Sequence, residues 1–370
     1  MLDISIMGGV LVSPLVELGV LALHLILPAR EIDGYVRDNK GKPLRYRLNG
    51  IPVMIISVLA WAGLCWTGVL PWGYFYEHSG TTCACALIIG LAFSAWIVAK
   101  GPRQSPSLLS DFFLGTIDNP RTVVAGRILD AKMYLYLVGA VHLELNLLSC
   151  AVAHLQSLRD PNPGIALSAA LLTWFAAEYL WWENVHLYTY DFFAERLGVK
   201  LGFGCLCFYP FFYPIPVLAA ARLPNPHRST AYHLLAAAVY FSGWALSRGP
   251  NLQKFWFKRH VPPPAALARL GLSPVKTIRS ADGKHELLCG GFWGVSRHIN
   301  YLGETLEAVG IVLALGHPRV ALLPWVYPLY YVLLFITRER DDDKRCREKY
   351  GALWDEYCRQ VPYRIIPYVY

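Results

Sequence analysis

Side chains able to do chemistry are densest between Gly291 and Gly303, where Phe292, Trp293, Ser296, Arg297, His298, Asn300 and Tyr301 crowd one short stretch beside an apolar segment. Guanidinium, imidazole, amide and aromatic groups gathered this closely call for a ligand or a partner. A counterpart lies downstream. Arg338, Asp342 and Cys346 fall at i, i+4 and i+8 and Lys349 at i+11, so a helix through them presents all four along one face. Such a face suits one wall of a site for a charged cofactor; the plainer reading is a solvated helix just outside a membrane. Lys349-Tyr350-Gly351, Trp354, Tyr357 and the run from Val361 to Tyr368 then close the chain.

The elements that must position these groups are membrane spans. With 55% hydrophobic and 16% charged residues, the chain stands apart from soluble domains, in which about a quarter of residues are charged. Apolar runs near 7–29, 51–71, 81–100, 131–156, 164–185, 201–221, 229–248, 302–316 and 320–337 approach the roughly twenty residues that a helical span needs. The expected fold is therefore all-α: a polytopic helix bundle of about nine to ten spans with a C-terminal, cytoplasm-facing cofactor-binding subdomain. The chain divides into a bundle over 1–250 and a cofactor-binding half over 251–370.

Charge placement orients the bundle. If the spans alternate, one side of the membrane holds every Lys and Arg except Arg159, Arg222, Arg228 and Arg319. Because basic residues stay cytoplasmic, the two reactive stretches and the C-terminus are expected there. That asymmetry accounts for the net charge of +8 without nucleic acid as a partner. No Lys or Arg precedes the first span, so it is expected to be retained and not cleaved as a signal peptide. Cys83/Cys85 and Cys205/Cys207 are CxC pairs without histidines at zinc spacing, so neither a metal site nor a disulfide framework is expected.

Asp38-Asn39-Lys40-Gly41 and Ser280-Ala281-Asp282-Gly283-Lys284 carry hairpin-turn signals, and the Asn119-Pro120 step separates two elements. The middle spans contain His142, Glu144, His154, Glu178 and Glu183. Ionisable groups are expensive there and face a bundle interior or a wet cavity. Glu178 therefore ranks above any loop carboxylate as a proton carrier, with an acid that merely ties two helices together as the equal alternative; for His142 the structural reading is the better one. The aromatic run Trp181-Trp182 to Tyr213 is either an interfacial belt or the lining of a pocket for a flat apolar substrate. Lys254 and Lys258 lie one turn apart on a segment expected to begin a cytoplasmic helix that Pro262-Pro263-Pro264 ends; the pair either binds phosphate or is ordinary flanking charge.

Together these motifs carry a resemblance. Trp293-Gly294 with Arg297-His298-x-Asn300-Tyr301, the Arg338, Asp342, Cys346, Lys349-Tyr350-Gly351 helix, and Val361-Pro362-Tyr363-Arg364 are similar to the C-terminal signatures of the membrane sterol reductases, which include the C14, C7 and C24(28) enzymes and a domain of the lamin B receptor. Asp111-Phe112-Phe113-Leu114-Gly115, Asn119-Pro120-Arg121, Leu48-Asn49-Gly50 and Trp181-x-Glu183 fit the same family. The resemblance runs from about residue 30 to the end.

It implies NADPH-dependent reduction of a sterol double bond, most closely the Δ14 bond, with Δ7 or Δ24(28) as alternatives. The cofactor-binding residues it implies are Lys254, Trp293, Asn300, Arg338, Asp342, Cys346 and Tyr357. Lys258, Arg297, His298, Tyr301, Lys349, Tyr350 and Arg364 join them from the same motifs. Lys258 keeps a charge where the family often has Arg. Trp182, Ala194-Glu195, Gly204-Cys205 and Asp341 depart from the family pattern near the expected sterol side. An unactivated ring alkene needs protonation before hydride arrives, and the expected catalytic set is Glu178 or Glu183 as acid with Tyr213 and the Trp181 region flanking the developing cation. The expected partners are a sterol and the lipid bilayer, in the endoplasmic reticulum or a bacterial inner membrane. A second class is methyl transfer from S-adenosylmethionine, because the isoprenylcysteine methyltransferases share Arg-His-x-x-Tyr and Lys-Tyr-Gly. A non-catalytic sterol-binding protein is the third.

Overall fold

The computed structural model describes residues 4–272, 276–317 and 322–370, so Arg319 and the start of the run at 320–337 lie outside the described residues. The chain forms two compact units, Met1–Pro226 and His227–Tyr370.

The first unit is a bundle of α1 (Ile4–Ile26), α2 (Gly50–Trp66), α3 (Ser79–Lys100), α5 (Ala131–Ser157) and α6 (Pro163–Trp181). Among the described residues four helices are long and apolar enough to cross a membrane, Gly8–Ile26 of α1 together with α3, α5 and α6; α2 and Gly204–Ala220 are shorter apolar segments. α5 is the axis, mostly buried, with Leu137, Val141 and Leu145 in the core that α1, α2 and α6 surround. After α6 the chain becomes irregular. It passes through single turns at Glu183–His186 and Tyr190–Phe193, then a π-helical turn at Gly204–Phe208 and short helices Tyr209–Phe212 and Ile215–Ala220. Pro210, Pro214 and Pro216 lack the N–H that would continue one long helix.

The expectation of an all-α chain needs correction. Strand makes up 8% of the structure, in three separate antiparallel hairpins: β1–β2 (Arg30–Arg37, Pro43–Leu48), β3–β4 (Arg121–Val124, Arg127–Asp130) and β5–β6 (Thr277–Arg279, Glu286–Leu288). The first and third sit on the two turn signals. The middle one, together with the short helix α4 (Leu108–Leu114), occupies the stretch around Asn119-Pro120. The first hairpin is a helix cap: Arg47 donates to the carbonyls of His24 (2.9 Å) and Leu27, and Asn49 Nδ2 to that of His24 (3.1 Å). A cation and an amide thus satisfy the orphan carbonyls at the C-terminus of α1.

In the second unit, α7 (Thr230–Arg259) is one continuous helix. The lysine-bearing segment after 250 is its last third and not a new start, and it passes Pro250 without breaking. α8 (Ile299–Ala314) packs along it. Gly243 and Gly303 make the approach possible, because a Cβ on either would strike the backbone of the opposite helix. α9 (Val326–Tyr350) runs on to Gly351, whose φ of 52° reverses the chain into α10 (Ala352–Gln360).

Candidate functional site

Two reactive stretches far apart in sequence meet in the second unit. The Tyr363 carbonyl accepts from Arg297 N (2.9 Å) and the Arg364 carbonyl from His298 N (2.8 Å), while Ser296 Oγ donates to the carbonyls of Arg364 (3.1 Å) and Ile365 (2.9 Å). The tail thereby templates the loop that leads into α8 and presents Asn300 in its first turn. Trp293 is held from both sides: its indole N–H donates to the Pro250 carbonyl (2.9 Å), and its own carbonyl accepts from the Tyr357 hydroxyl (3.1 Å).

The side chains divide into two sets. Arg297, His298, Tyr301, Tyr357 and Arg364 serve the frame. Arg297 Nη1 reaches Asp343 (3.3 Å) and the Cys358 thiol (2.9 Å), and its Nη2 donates to the Pro362 carbonyl (3.2 Å). His298 stacks on Tyr301 (4.8 Å, 10° between planes) and Tyr301 on Phe335 (4.3 Å, 7°). Burial, then the charges of Lys254 and Arg297, push the His298 imidazole down to about 3, so its 3.9 Å approach to Asp342 is that of a neutral ring and not an ion pair. Tyr357 is buried beside Trp354 and Cys289 under the third hairpin, and burial pushes its phenol up. Arg364 bonds Glu339 (2.6 Å), a carboxylate with no solvent exposure that also accepts from the Tyr370 hydroxyl (3.3 Å).

The second set is half-buried or exposed: Lys254, Lys258, Trp293, Asn300, Arg338, Asp342, Cys346, Lys349 and Tyr350. Lys254 lies over the Trp293 ring at 5.5 Å and Lys349 over Tyr350 at 5.0 Å. Cations crowd here. Burial and then Lys254 and Lys349 push the Lys258 ammonium down to about 8. Burial raises the Asp342 carboxyl against the pull of Lys254, Arg345 and Arg338, and it raises the Cys346 thiol, 3.9 Å from Asp342, to about 12. Asn300 Oδ1 is buried and, among the described residues, has no hydrogen-bond partner. Lys254 and Arg338 act on the Asp342 carboxyl, and Lys254 and Lys349 on Lys258; cations grouped in this way, with an aromatic ring and the Asn300 amide oxygen, fit a phosphorylated ligand with a hydroxyl or amide donor.

Residues 17–370 match the Ergosterol biosynthesis ERG4/ERG24 family. The chain belongs to the membrane sterol reductase family. It is 31% identical over 364 residues to Delta(14)-sterol reductase TM7SF2 of Mus musculus, covering 95% of this chain and 84% of that protein. It is 32% identical over 358 residues to Delta(14)-sterol reductase of Arabidopsis thaliana (93% and 91%). Against 7-dehydrocholesterol reductase of Arabidopsis thaliana it is 26% identical over 362 residues (94% and 82%).

For a sterol reductase the acids of the first unit matter as much. Glu183 Oε2 accepts the Gly50 N–H at 3.1 Å, so this carboxylate caps the first turn of α2. Trp181 is 66% exposed on the outside of its helix. Tyr213 packs against Phe175 (5.9 Å) and edge-on to Tyr209 (4.6 Å). Glu178 is half-buried one turn before Trp182, whose N–H its carbonyl accepts (3.0 Å). His142 sits edge-on between Phe75 and Phe211, and Glu144 accepts from Thr173 Oγ1 (2.8 Å).

The sequence reading missed Asp343 and Glu339. Asp343 receives Arg297, Trp354 Nε1 (3.0 Å) and Arg347 (3.7 Å). Its i+4 relation to Arg347 was available in the sequence; nothing there pairs Glu339 with Arg364. Among the described residues no group of three His, Cys, Asp or Glu side chains is gathered as a metal ion would require.

Proposed function

We propose that this sterol reductase uses NADPH to reduce a ring double bond of a sterol, most closely the Δ14 bond. The observation that carries the reading is the grouping of Lys254 and Arg338 near Asp342 and of Lys254 and Lys349 near Lys258, with Asn300 Oδ1 left for a donor. Relatives named Delta(14)-sterol reductase are more similar than the 7-dehydrocholesterol reductase, which supports the Δ14 assignment over Δ7.

NADPH would supply the hydride. Lys254, Lys258, Arg338 and Lys349 would hold its phosphates, Trp293 would stack on a ring, and Asn300 would accept from the ribose or the carboxamide. Asp342 keeps the cations apart and spaced. The neutral His298–Tyr301–Phe335 stack and the Arg297–Asp343 contact keep Asn300 and Arg338 in place. Glu178, half-buried on α6, would protonate the alkene while Glu183 caps α2; Tyr213 supplies an aromatic face for positive charge.

Purified protein supplied with NADPH and, separately, 14-ene, 7-ene and 24(28)-ene sterols should saturate the 14-ene. Reduction of another substrate alone reassigns the bond. No reduction of any, with S-adenosylmethionine bound in place of NADPH, removes the reading. Glu178→Gln should lower turnover by at least about a hundredfold while leaving NADPH affinity intact.

A further inference from the structure

Helix α4 is built inside out. Its one acid, Asp111, is 2% exposed and turned inward, where Oδ2 accepts from Arg103 Nε (3.1 Å) and Gln104 N (3.3 Å). Its apolar side chains point the other way: Leu108 is 68%, Leu109 76% and Phe113 52% exposed. Such an arrangement disfavours water as the neighbour of the outer face.

The attachments of α4 give its depth. The helix follows α3, which ends at Lys100 with its ammonium 3.9 Å from the centre of the Trp96 ring. An aromatic ring under a snorkelling lysine marks the boundary of a bilayer. On the other flank, the Phe112 and Phe113 carbonyls accept from Val199 N (2.9 Å) and Lys200 N (3.1 Å), just before the apolar segment Gly204–Ala220 begins. Ser107 caps its start by accepting from Ser110 N (3.3 Å), and Gly115, at φ 89°, turns the chain away at its end. α4 is therefore tied between the ends of two apolar segments, each marked by a lysine.

We infer that α4 lies in the plane of one membrane face, with Leu108, Leu109 and Phe113 sunk into the boundary between headgroups and acyl chains, as an interfacial anchor distinct from the spans. The lipid leaflet is the occupant of that face. The inference is independent of which reaction the protein catalyses.

A photoreactive p-benzoylphenylalanine placed at Phe113, where it keeps the phenyl ring and extends it outward from an exposed position, and in a second variant at Leu109, tests this in phosphatidylcholine nanodiscs. Irradiation followed by intact-mass analysis should show lipid adducts at both positions. Their yield should approach that of a probe at the lipid-exposed Ile88 of α3 and exceed that of a probe at Lys40 in the first hairpin turn by at least about fivefold. Covalent dimers, or adduct yields no higher than at Lys40, would overturn it. The readout is independent of catalysis, so failure here and failure to reduce a sterol are separate results.

Discussion

In the first unit several buried charged groups hold backbone; in the second, one region gathers cations close enough to act on one another. Lys132 is buried on α5, where it donates to the carbonyls of Asp191 (3.1 Å), Phe192 (3.1 Å) and Glu195 (2.6 Å). Asp130 accepts from Met133 N (3.1 Å) and pairs with Arg121 (3.0 Å), and Glu195 pairs with Lys200 (2.9 Å). Glu183 caps α2. Each of these has partners within the fold, although burial still raises the Asp130 and Glu183 carboxyls. On α7, by contrast, burial and then the charges of Lys254 and Lys349 depress the proton affinity of Lys258. Like charges held this close suit a site for an anion.

The comparison breaks most sharply at Glu339, where the second unit follows the rule of the first. Glu339→Ala removes the partner of Arg364 and of the Tyr370 hydroxyl. It should cost about 3 kcal/mol of stability, read as a lowered Tm, with faster hydrogen exchange at the amides of Arg297 and His298 that the tail carbonyls accept. An unchanged exchange pattern would remove the tail from its templating role. Arg338→Ala, one residue away, should behave in the opposite sense. Stability should change little, while NADPH affinity falls by about 2 kcal/mol, roughly thirtyfold, as for a lost charged hydrogen bond. If Arg338→Ala instead unfolds the protein and leaves binding intact, the cations of α9 belong with the structural set.

A smaller effect separates the two acids at the end of α6. Glu183→Gln keeps an acceptor for Gly50 N but loses a carboxyl that burial has raised to about 7, and with it the partial charge at the helix N-terminus. It should lower stability by about 0.5 kcal/mol with sterol turnover retained. A loss of turnover as large as that expected for Glu178→Gln would return Glu183 to catalysis.

These contrasts also explain what could be read in the sequence. The spans of α1, α3, α5 and α6 were legible because apolar length has few other uses, and both turn signals were legible because a Gly with positive φ at Gly41 and Gly283 leaves a local mark. The face formed by Arg338, Asp342 and Cys346 was legible for the same local reason, a constant helical period. Partnerships across long separations were not. Arg364 and Arg297 read as cofactor-binding residues, and nothing in the sequence shows that the first meets Glu339 and the second Asp343 and Cys358. Local spacing shows which groups share a face and not whether a distant segment has already taken them. Hairpin β3–β4 was missed because its turn, Ala125-Gly126, has no Asn-Gly or Asp-Gly signature, and Ala125 itself adopts φ 50°.

The finest test concerns Lys258. Its ordinary value is 10.5, and burial with two neighbouring lysines brings it to about 8 in the folded chain. The lowered value means that the folded state gives up the proton before the unfolded state does. The folded chain is therefore penalised below about pH 8, and stability rises as pH increases from about 8 toward 10.5. A bound phosphate reverses the balance by favouring the ammonium, so NADPH binding near pH 8.5 should take up roughly 0.7 of a proton. Calorimetry in buffers of different ionisation enthalpy reads that uptake directly, and affinity should decline as pH passes 8. Lys258→Gln should abolish the buffer dependence while leaving α7 folded. Proton uptake that persists in this variant would mean that another group faces the phosphate, and that the crowding of Lys258 is an accident of helix packing.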